Sequence, residues 1–253
     1  MWQIDCSDTE PAEERVERVL AGLPAAAADA DLLVLPELWP TGAFNLTSLS
    51  SFRAPDDLPH RLGAAAAAAG VWLHAGSVPL GTADDSRRTF NASLLFEASG
   101  NLCASYRKRH LFGWEDGERT VIAPGADLAL ATTPLGQTGL ATCYDLRFPE
   151  MFRDLVALGA DSFLIPAGWP VARMQHWWIL NQARAIENQA LVVACNARGR
   201  NGDVVLGGGS MVVDARGEVV AQGGPDDEFV DAVVDVAATA AWRAEFPALH
   251  DRL

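Results

Sequence analysis

Thr138-Gly139-Leu140-Ala141-Thr142-Cys143-Tyr144-Asp145-Leu146-Arg147-Phe148-Pro149-Glu150 is the stretch on which the fold turns. Gly139–Thr142 is short, apolar and β-branched at its end, the pattern of a buried strand. Pro149 suits the first position of a helix, where its missing N–H would be unpaired anyway. Phe152, Leu155, Val156 and Leu158 recur at helical spacing, and Gly159 closes the helix. Asp161–Pro166 reads as the next strand. Cys143 therefore stands at the carboxyl end of a strand in a β-α-β unit, where open α/β sheets place their ligands. The positive end of the following helix is expected to favour the thiolate there. Taken alone, a single cysteine is more often a small buried hydrophobe. Its company elsewhere in the chain reverses that reading.

The chain has 253 residues, 49% of them hydrophobic and 21% charged, an ordinary globular composition long enough for a sizeable core. A formal net charge of −14 argues against a nucleic-acid or anionic-membrane surface. Cys6, Cys103, Cys143 and Cys195 lie far apart with no zinc spacing, so neither metal nor cofactor is expected, and a reducing cytoplasm is the natural setting. The opening Met1–Cys6 shows neither the basic nor the apolar segment of a signal peptide. The alanine run 64–69 is too short to span a bilayer.

Outward from Cys143, helices are expected at Glu13–Leu23, Leu58–Ala69, Arg173–Asn188 and Thr239–Glu245. Strands are expected at Asp31–Pro36, Val71–Val78, Leu191–Cys195 and Val230–Val236, with Leu128–Thr132 beside the Cys143 strand. Asn91–Phe96 with Asn101–Tyr106, and Ser210–Asp214 with Glu218–Ala221, read as hairpins. Trp2–Asp5 reads as the end of a shortened first strand. No linker or repeat divides the chain, so one domain over residues 1–253 is expected. Interleaved helices and hairpins suggest a mixed sheet, or two packed sheets with helices outside.

Three segments carry chemistry. Leu35-Pro36-Glu37-Leu38-Trp39-Pro40-Thr41-Gly42, Tyr106-Arg107-Lys108-Arg109-His110-Leu111-Phe112 and the Cys143 stretch each put one reactive group after an apolar strand: carboxylate, ammonium, thiol. A carboxylate in a dry pocket can shuttle a proton. A neighbouring ammonium can favour the thiolate and stabilise an oxyanion. No motif ties any of the five histidines to Cys143. Taken alone, Glu37 is a solvated loop charge and Lys108 a surface cation; together with Cys143 they read as a catalytic set.

These segments resemble the carbon–nitrogen hydrolase (nitrilase) superfamily, and within it the amidase branch. The family's Glu–Lys–Cys triad falls on Glu37, Lys108 and Cys143. A second family glutamate matches Glu118, ahead of Pro124-Gly125, and His176–Gln189 resembles the family's H-W-x-x-L-x-x-A-R-A-I-E-N-Q helix. The resemblance implies an α/β fold, a four-layer α-β-β-α sandwich of two mixed sheets with helices outside. It implies that Cys143 attacks a carboxamide, that Glu37 moves the proton, and that a thioester forms and is hydrolysed. Lys108 and the Tyr144 N–H would hold the oxyanion, and Glu118 would orient Lys108 or the water. It also implies a homodimer built on the segment after Cys143 and the His176–Gln189 helix.

The loop Pro166–Arg173, leading into His176-Trp177-Trp178, resembles ω-amidases that act on 2-oxoglutaramate and similar 2-oxo acid amides. Arg147 or Arg173 would meet a substrate carboxylate, with Phe44 and Trp169 as apolar walls. The same triad would serve an N-carbamoyl amino acid hydrolase, a deaminated-glutathione amidase or, with a weaker match of segments, a nitrile hydrolase. A partner-binding protein retaining the fold is the non-enzyme alternative. His110 reads as a hydrogen-bonded turn residue, and Arg147 and Arg184 equally as ion-pair partners or substrate contacts. Cys6, Cys103 and Cys195 read as packing residues. Gly207-Gly208-Gly209 reads as a bend before the next strand, and Trp177-Trp178 as core and interface.

Overall fold

Alternation along the strands decides which side chains face which layer. In Leu32–Val34, Trp72–Gly81 and Thr89–Phe96, one set of residues (Leu33, Leu73, Ala75, Leu94 and Phe96) packs against helices. The residues between them, Val34 and Leu95, pack instead with Leu140, Leu164 and Ile165 of a second sheet. A strand buried on both faces must be apolar in both registers, and these are.

The computed structural model describes residues 1–52, 54–81, 89–113 and 115–251. In chain order it contains α1 (Ala12–Ala26), β1 (Leu32–Val34), α2 (Leu46–Ser51), α3 (Leu58–Ala69), β2 (Trp72–Gly81), β3 (Thr89–Phe96) and β4 (Leu102–Arg107). There follow β5 (Leu130–Thr133), β6 (Gly136–Leu140), α4 (Pro149–Ala157), β7 (Ser162–Ala167), α5 (Met174–Asn188) and β8 (Leu191–Asn196). The remainder is β9 (Arg198–Asn201), β10 (Val204–Gly207), β11 (Met211–Val213), β12 (Val219–Gln222) and α6 (Ala237–Glu245).

One sheet has the order β1-β2-β3-β4 and the other β12-β11-β8-β7-β6-β5. Both are mixed: β1 is parallel to β2, and β6, β7 and β8 are parallel, while the remaining pairs in the two sheets are antiparallel. α1 and α3 cover the first sheet through Val16, Val19, Leu23, Leu58, Leu62 and Ala66. α4 and α5 cover the second through Met151, Phe152, Leu155, Trp177 and Ala185. Phe152 meets Phe163 edge to face at 5.0 Å. The four-layer α-β-β-α sandwich expected from the resemblance is the fold, and both expected hairpins form.

Several expectations are corrected. Val230–Val236 is not a strand. Phe229 bridges Trp2 and Val230 exchanges hydrogen bonds with Met1, but Val233 stands 96% exposed, because no sheet edge meets that run. Trp2–Asp5 gives only isolated bridges, to Phe229 and Arg198. Gly208 and Gly209, at φ +52° and +65°, turn the chain before β11 as expected, but Gly207 ends β10, which forms an unforeseen antiparallel ribbon with β9. α2 was also unforeseen; Asn45 caps it by accepting from the Ser48 N–H.

Candidate active site

Three strand ends converge. Glu37 follows β1, Lys108 follows β4 and Cys143 follows β6, and all three side chains are withdrawn from solvent. Each end is held by a different device.

The Glu37 turn lies against a bulge in β2. Gly76, at φ +59°, runs so close to the turn that a Cβ there would stand 1.9 Å from the Pro36 carbonyl oxygen. Ser77 receives the Leu38 N–H on its hydroxyl at 3.0 Å and donates its own N–H to the Pro36 carbonyl at 3.1 Å. From outside, the buried Arg15 guanidinium donates to the carbonyls of Trp39 (3.3 Å) and Pro40 (2.8 Å). Leu38 takes φ +43° inside this frame.

Cys143 takes φ +47°, a conformation L-residues adopt at a cost of roughly 1–3 kcal/mol. It opens a 3-10 turn, Cys143–Arg147, whose first N–H groups have no partner within the turn. Asp145 holds the elbow. Its Oδ2 accepts from the Thr142 N–H (2.8 Å) and the Tyr106 hydroxyl (2.7 Å), and its Oδ1 from the His110 N–H (3.0 Å). Nδ1 of His110 lies a further 2.7 Å from Oδ1. One buried carboxylate thus ties the Cys143 segment to the Lys108 segment.

The charged groups meet at the floor. Lys108 Nζ donates to Glu37 Oε1 (2.7 Å) and to Glu118 Oε1 (3.0 Å) and Oε2 (2.8 Å). Asn91 Nδ2 donates to Glu37 Oε1 at 2.8 Å and approaches Glu118 Oε1 at 3.4 Å. Glu37 Oε2 receives the Gly168 N–H at 3.0 Å, and Glu118 Oε2 the Phe112 N–H at 2.6 Å. Cys143 lines the same cleft as Glu37 and Gly168.

Burial by itself would discharge Lys108, but Glu118 and Glu37 outweigh it and hold the ammonium protonated well above its ordinary range. Burial raises the Glu118 carboxyl against the pull of Lys108. Burial, then the Glu37 charge, pushes the Cys143 thiol well above its ordinary range, and Lys108 only partly offsets them. The helix end and the ammonium were expected to favour the thiolate; here a five-residue turn and one shared ammonium do not outweigh desolvation beside a carboxylate.

Above this floor opens a cleft of about 340 Å³, walled by Phe44, Phe112, Tyr144 and Trp169 and carrying Arg147 and Arg173. Arg147 lies 4.8 Å over the Trp169 ring, with its Nη atoms 3.2 and 3.3 Å from His176 Nδ1. Arg173 lies 5.3 Å over the Phe112 ring.

The family model for carbon–nitrogen hydrolases matches residues 3–244. A 2-oxoglutaramate amidase of Paenarthrobacter nicotinovorans is 39% identical over 99% of this chain and 87% of its own. One of Bacillus subtilis (strain 168) is 35% identical over 98% and 95%. A CN-hydrolase superfamily protein of Xanthomonas campestris, whose active site carries an arsenic adduct, superposes with TM-score 0.86 at 30% identity, covering 100% of this chain and 96% of its own. This chain belongs to the carbon–nitrogen hydrolase family. It is an amide-hydrolysing enzyme.

In this hydrolase the structure gathers Glu37, Lys108, Cys143 and Glu118 at the cleft floor and Phe44, Tyr144, Arg147, Trp169 and Arg173 along its walls. Arg184 lies elsewhere, bonded to Glu187 and the Leu146 carbonyl. Cys6 and Cys195 are buried as expected, but Cys103 is exposed, on the edge strand β4. Trp177 is in the core and Trp178 is exposed. Sequence reasoning missed Asn91, Asp145 and Gly168. For Asn91 a signal existed: a lone amide in the run Phe90–Phe96, which is otherwise apolar or hydroxylated. Among the described residues no helix is long and apolar enough to cross a membrane.

Proposed function

We propose that residues 1–253 form one carbon–nitrogen hydrolase domain that works in the cytoplasm as a homodimer. Its substrate is a small amide with a distal carboxylate, of the 2-oxoglutaramate kind. The observation that carries the substrate class is the pair of guanidinium groups, Arg147 and Arg173, set over aromatic rings in the cleft that ends at Cys143. A carboxylate held there bidentately points an amide at the far end of a short chain toward the thiol. The two relatives that act on 2-oxoglutaramate support the same class.

The geometry supports the following roles. Glu37 takes the Cys143 proton as sulfur attacks the carboxamide carbon, and returns it to the departing nitrogen. Ammonia leaves and a thioester remains. Glu37 then takes a proton from water, whose oxygen attacks the thioester carbon, and the proton returns to sulfur as the acid departs. Lys108 and the Tyr144 N–H stabilise the oxyanion of both tetrahedral intermediates. Glu118 holds Lys108 through both of its carboxylate oxygens. A thiol that rests protonated needs its base within reach, and Glu37 is within reach.

The test is turnover of 2-oxoglutaramate, with ammonia and 2-oxoglutarate measured together. Equal activity in Cys143→Ala, with folding preserved, would remove the mechanism. Carbon dioxide release from N-carbamoyl amino acids, without ammonia release from 2-oxoglutaramate, would move the substrate class. Trp178, Ile179 and Ile186 on α5 expose apolar surface that supports the dimer. A monomeric mass at micromolar concentration would contradict it.

A further inference from the structure

Asn91 is buried on β3, and no role in the mechanism above has been given to it. Its main chain is already committed, since its carbonyl accepts the Lys108 N–H at 2.9 Å. Its side chain lies between two carboxylates. Carboxylate oxygens only accept, so the NH2 end must face them. The reverse orientation would set a carbonyl oxygen against both Glu37 and Glu118. The observed orientation leaves Asn91 Oδ1 without a hydrogen bond among the described residues, a cost the side chain bears to keep its donors on the acids.

We infer that Asn91 is a positioning residue, whose amide joins Lys108 in holding Glu37 Oε1 so that Oε2 is the oxygen that exchanges a proton with Cys143. This rests on Glu37 acting as the base. Oε1 receives two donors, Lys108 at 2.7 Å and Asn91 at 2.8 Å. Oε2 receives the Gly168 N–H at 3.0 Å and no second donor among the described residues, so it is the oxygen with capacity left for the Cys143 proton. Lys108 alone serves two carboxylates, and it spends two of its contacts on Glu118. Asn91 supplies the neutral donor that keeps both acids turned without adding a charge. The groups facing Glu37 are Lys108, Glu118 and Cys143, with Arg147 and Arg173 farther along the cleft.

The experiment measures kcat and KM across pH for one amide substrate with the parent enzyme, Asn91→Ala and Asn91→Asp. In Asn91→Ala, kcat falls by about 10- to 100-fold, the effect of losing one hydrogen bond to a charged group. KM changes little, and the acidic limb of the profile moves to higher pH, because a carboxylate with fewer donors protonates more readily. Asn91→Asp keeps the side-chain shape but adds a third carboxylate, and moves the limb further in the same direction. It also carries the test if Asn91→Ala does not fold. A limb that stays in place, or a loss carried by KM alone, overturns the inference. Glu37→Gln is run beside them. Unimpaired turnover there means that Glu37 is not the base. An inactive Glu37→Gln with an unmoved limb in the Asn91 variants means that only the role of Asn91 is wrong.

Discussion

Burial and the Glu37 charge push the Cys143 thiol well above its ordinary range, which leaves its activation to a neighbouring base. Two outcomes follow for Glu37→Gln. Turnover falls by roughly 10²–10⁴, the usual worth of a positioned base. The Cys143 titration, followed by thiolate absorbance, moves down toward the ordinary thiol range, because the nearest negative charge is gone. A titration that moves up instead would contradict the electrostatics of the floor. At the mouth, Arg173→Met removes the charge and keeps much of the apolar stem. Its kcat/KM for a carboxylated amide falls by about 10- to 100-fold, the loss expected for one charged hydrogen bond. For an uncharged amide of the same length it changes little, and equal losses would remove Arg173 from carboxylate recognition. That Glu37, Lys108 and Cys143 belong together could be read in the sequence because each sits in a dense local motif, and the structure brings them to one cleft. Asn91 stayed hidden because its meaning lies in two carboxylates contributed from 54 and 27 residues away.

At the scale of elements, the site is a set of turns clamped by their neighbours. Gly76→Ala sets a methyl group against the Pro36 carbonyl and adds left-handed strain. It should cost roughly 2–4 kcal/mol, read by urea denaturation, and impair kcat through the Glu37 turn. Asp145→Asn exchanges a carboxylate that accepts on both oxygens for an amide that accepts on one. Either Thr142 and Tyr106 or the His110 N–H loses its acceptor. The variant should lose about 1–3 kcal/mol of stability per donor stranded, with a lower kcat, and unchanged melting and turnover would refute the clamp. Most helices and strands were legible from periodicity and turn residues, and Leu58–Ala69 has the expected bounds. Val230–Val236 misled because β-branched composition describes what fits an edge, not whether an edge is there. The β9–β10 ribbon was missed because Arg198–Asn201 has no apolar alternation; its pairing comes from the partner strand.

For the molecule as a whole, the space between the sheets sets a pH limit on stability. His74 pairs in register with Val34 and Leu95, fully buried, with both ring nitrogens unpartnered among the described residues. Burial lowers its pKa from 6.5 to about 3. Below the ordinary histidine range the unfolded chain binds a proton that the folded protein refuses. Stability is therefore full above about pH 6.5 and is lost as pH falls toward 3. His74→Leu should flatten this slope between about pH 6.5 and 5, measured by urea denaturation at each pH, and an unchanged slope would place the loss in other groups. What the sequence by itself determined was most of the elements and the identities of the thiol, the two acids and the ammonium, because periodicity and motifs are local. The tertiary structure alone decided that burial and Glu37 push the Cys143 thiol up, that Asn91 and Asp145 lie at the site, and which run of valines pairs. Desolvation, shared hydrogen bonds and strand edges are created only when distant segments meet.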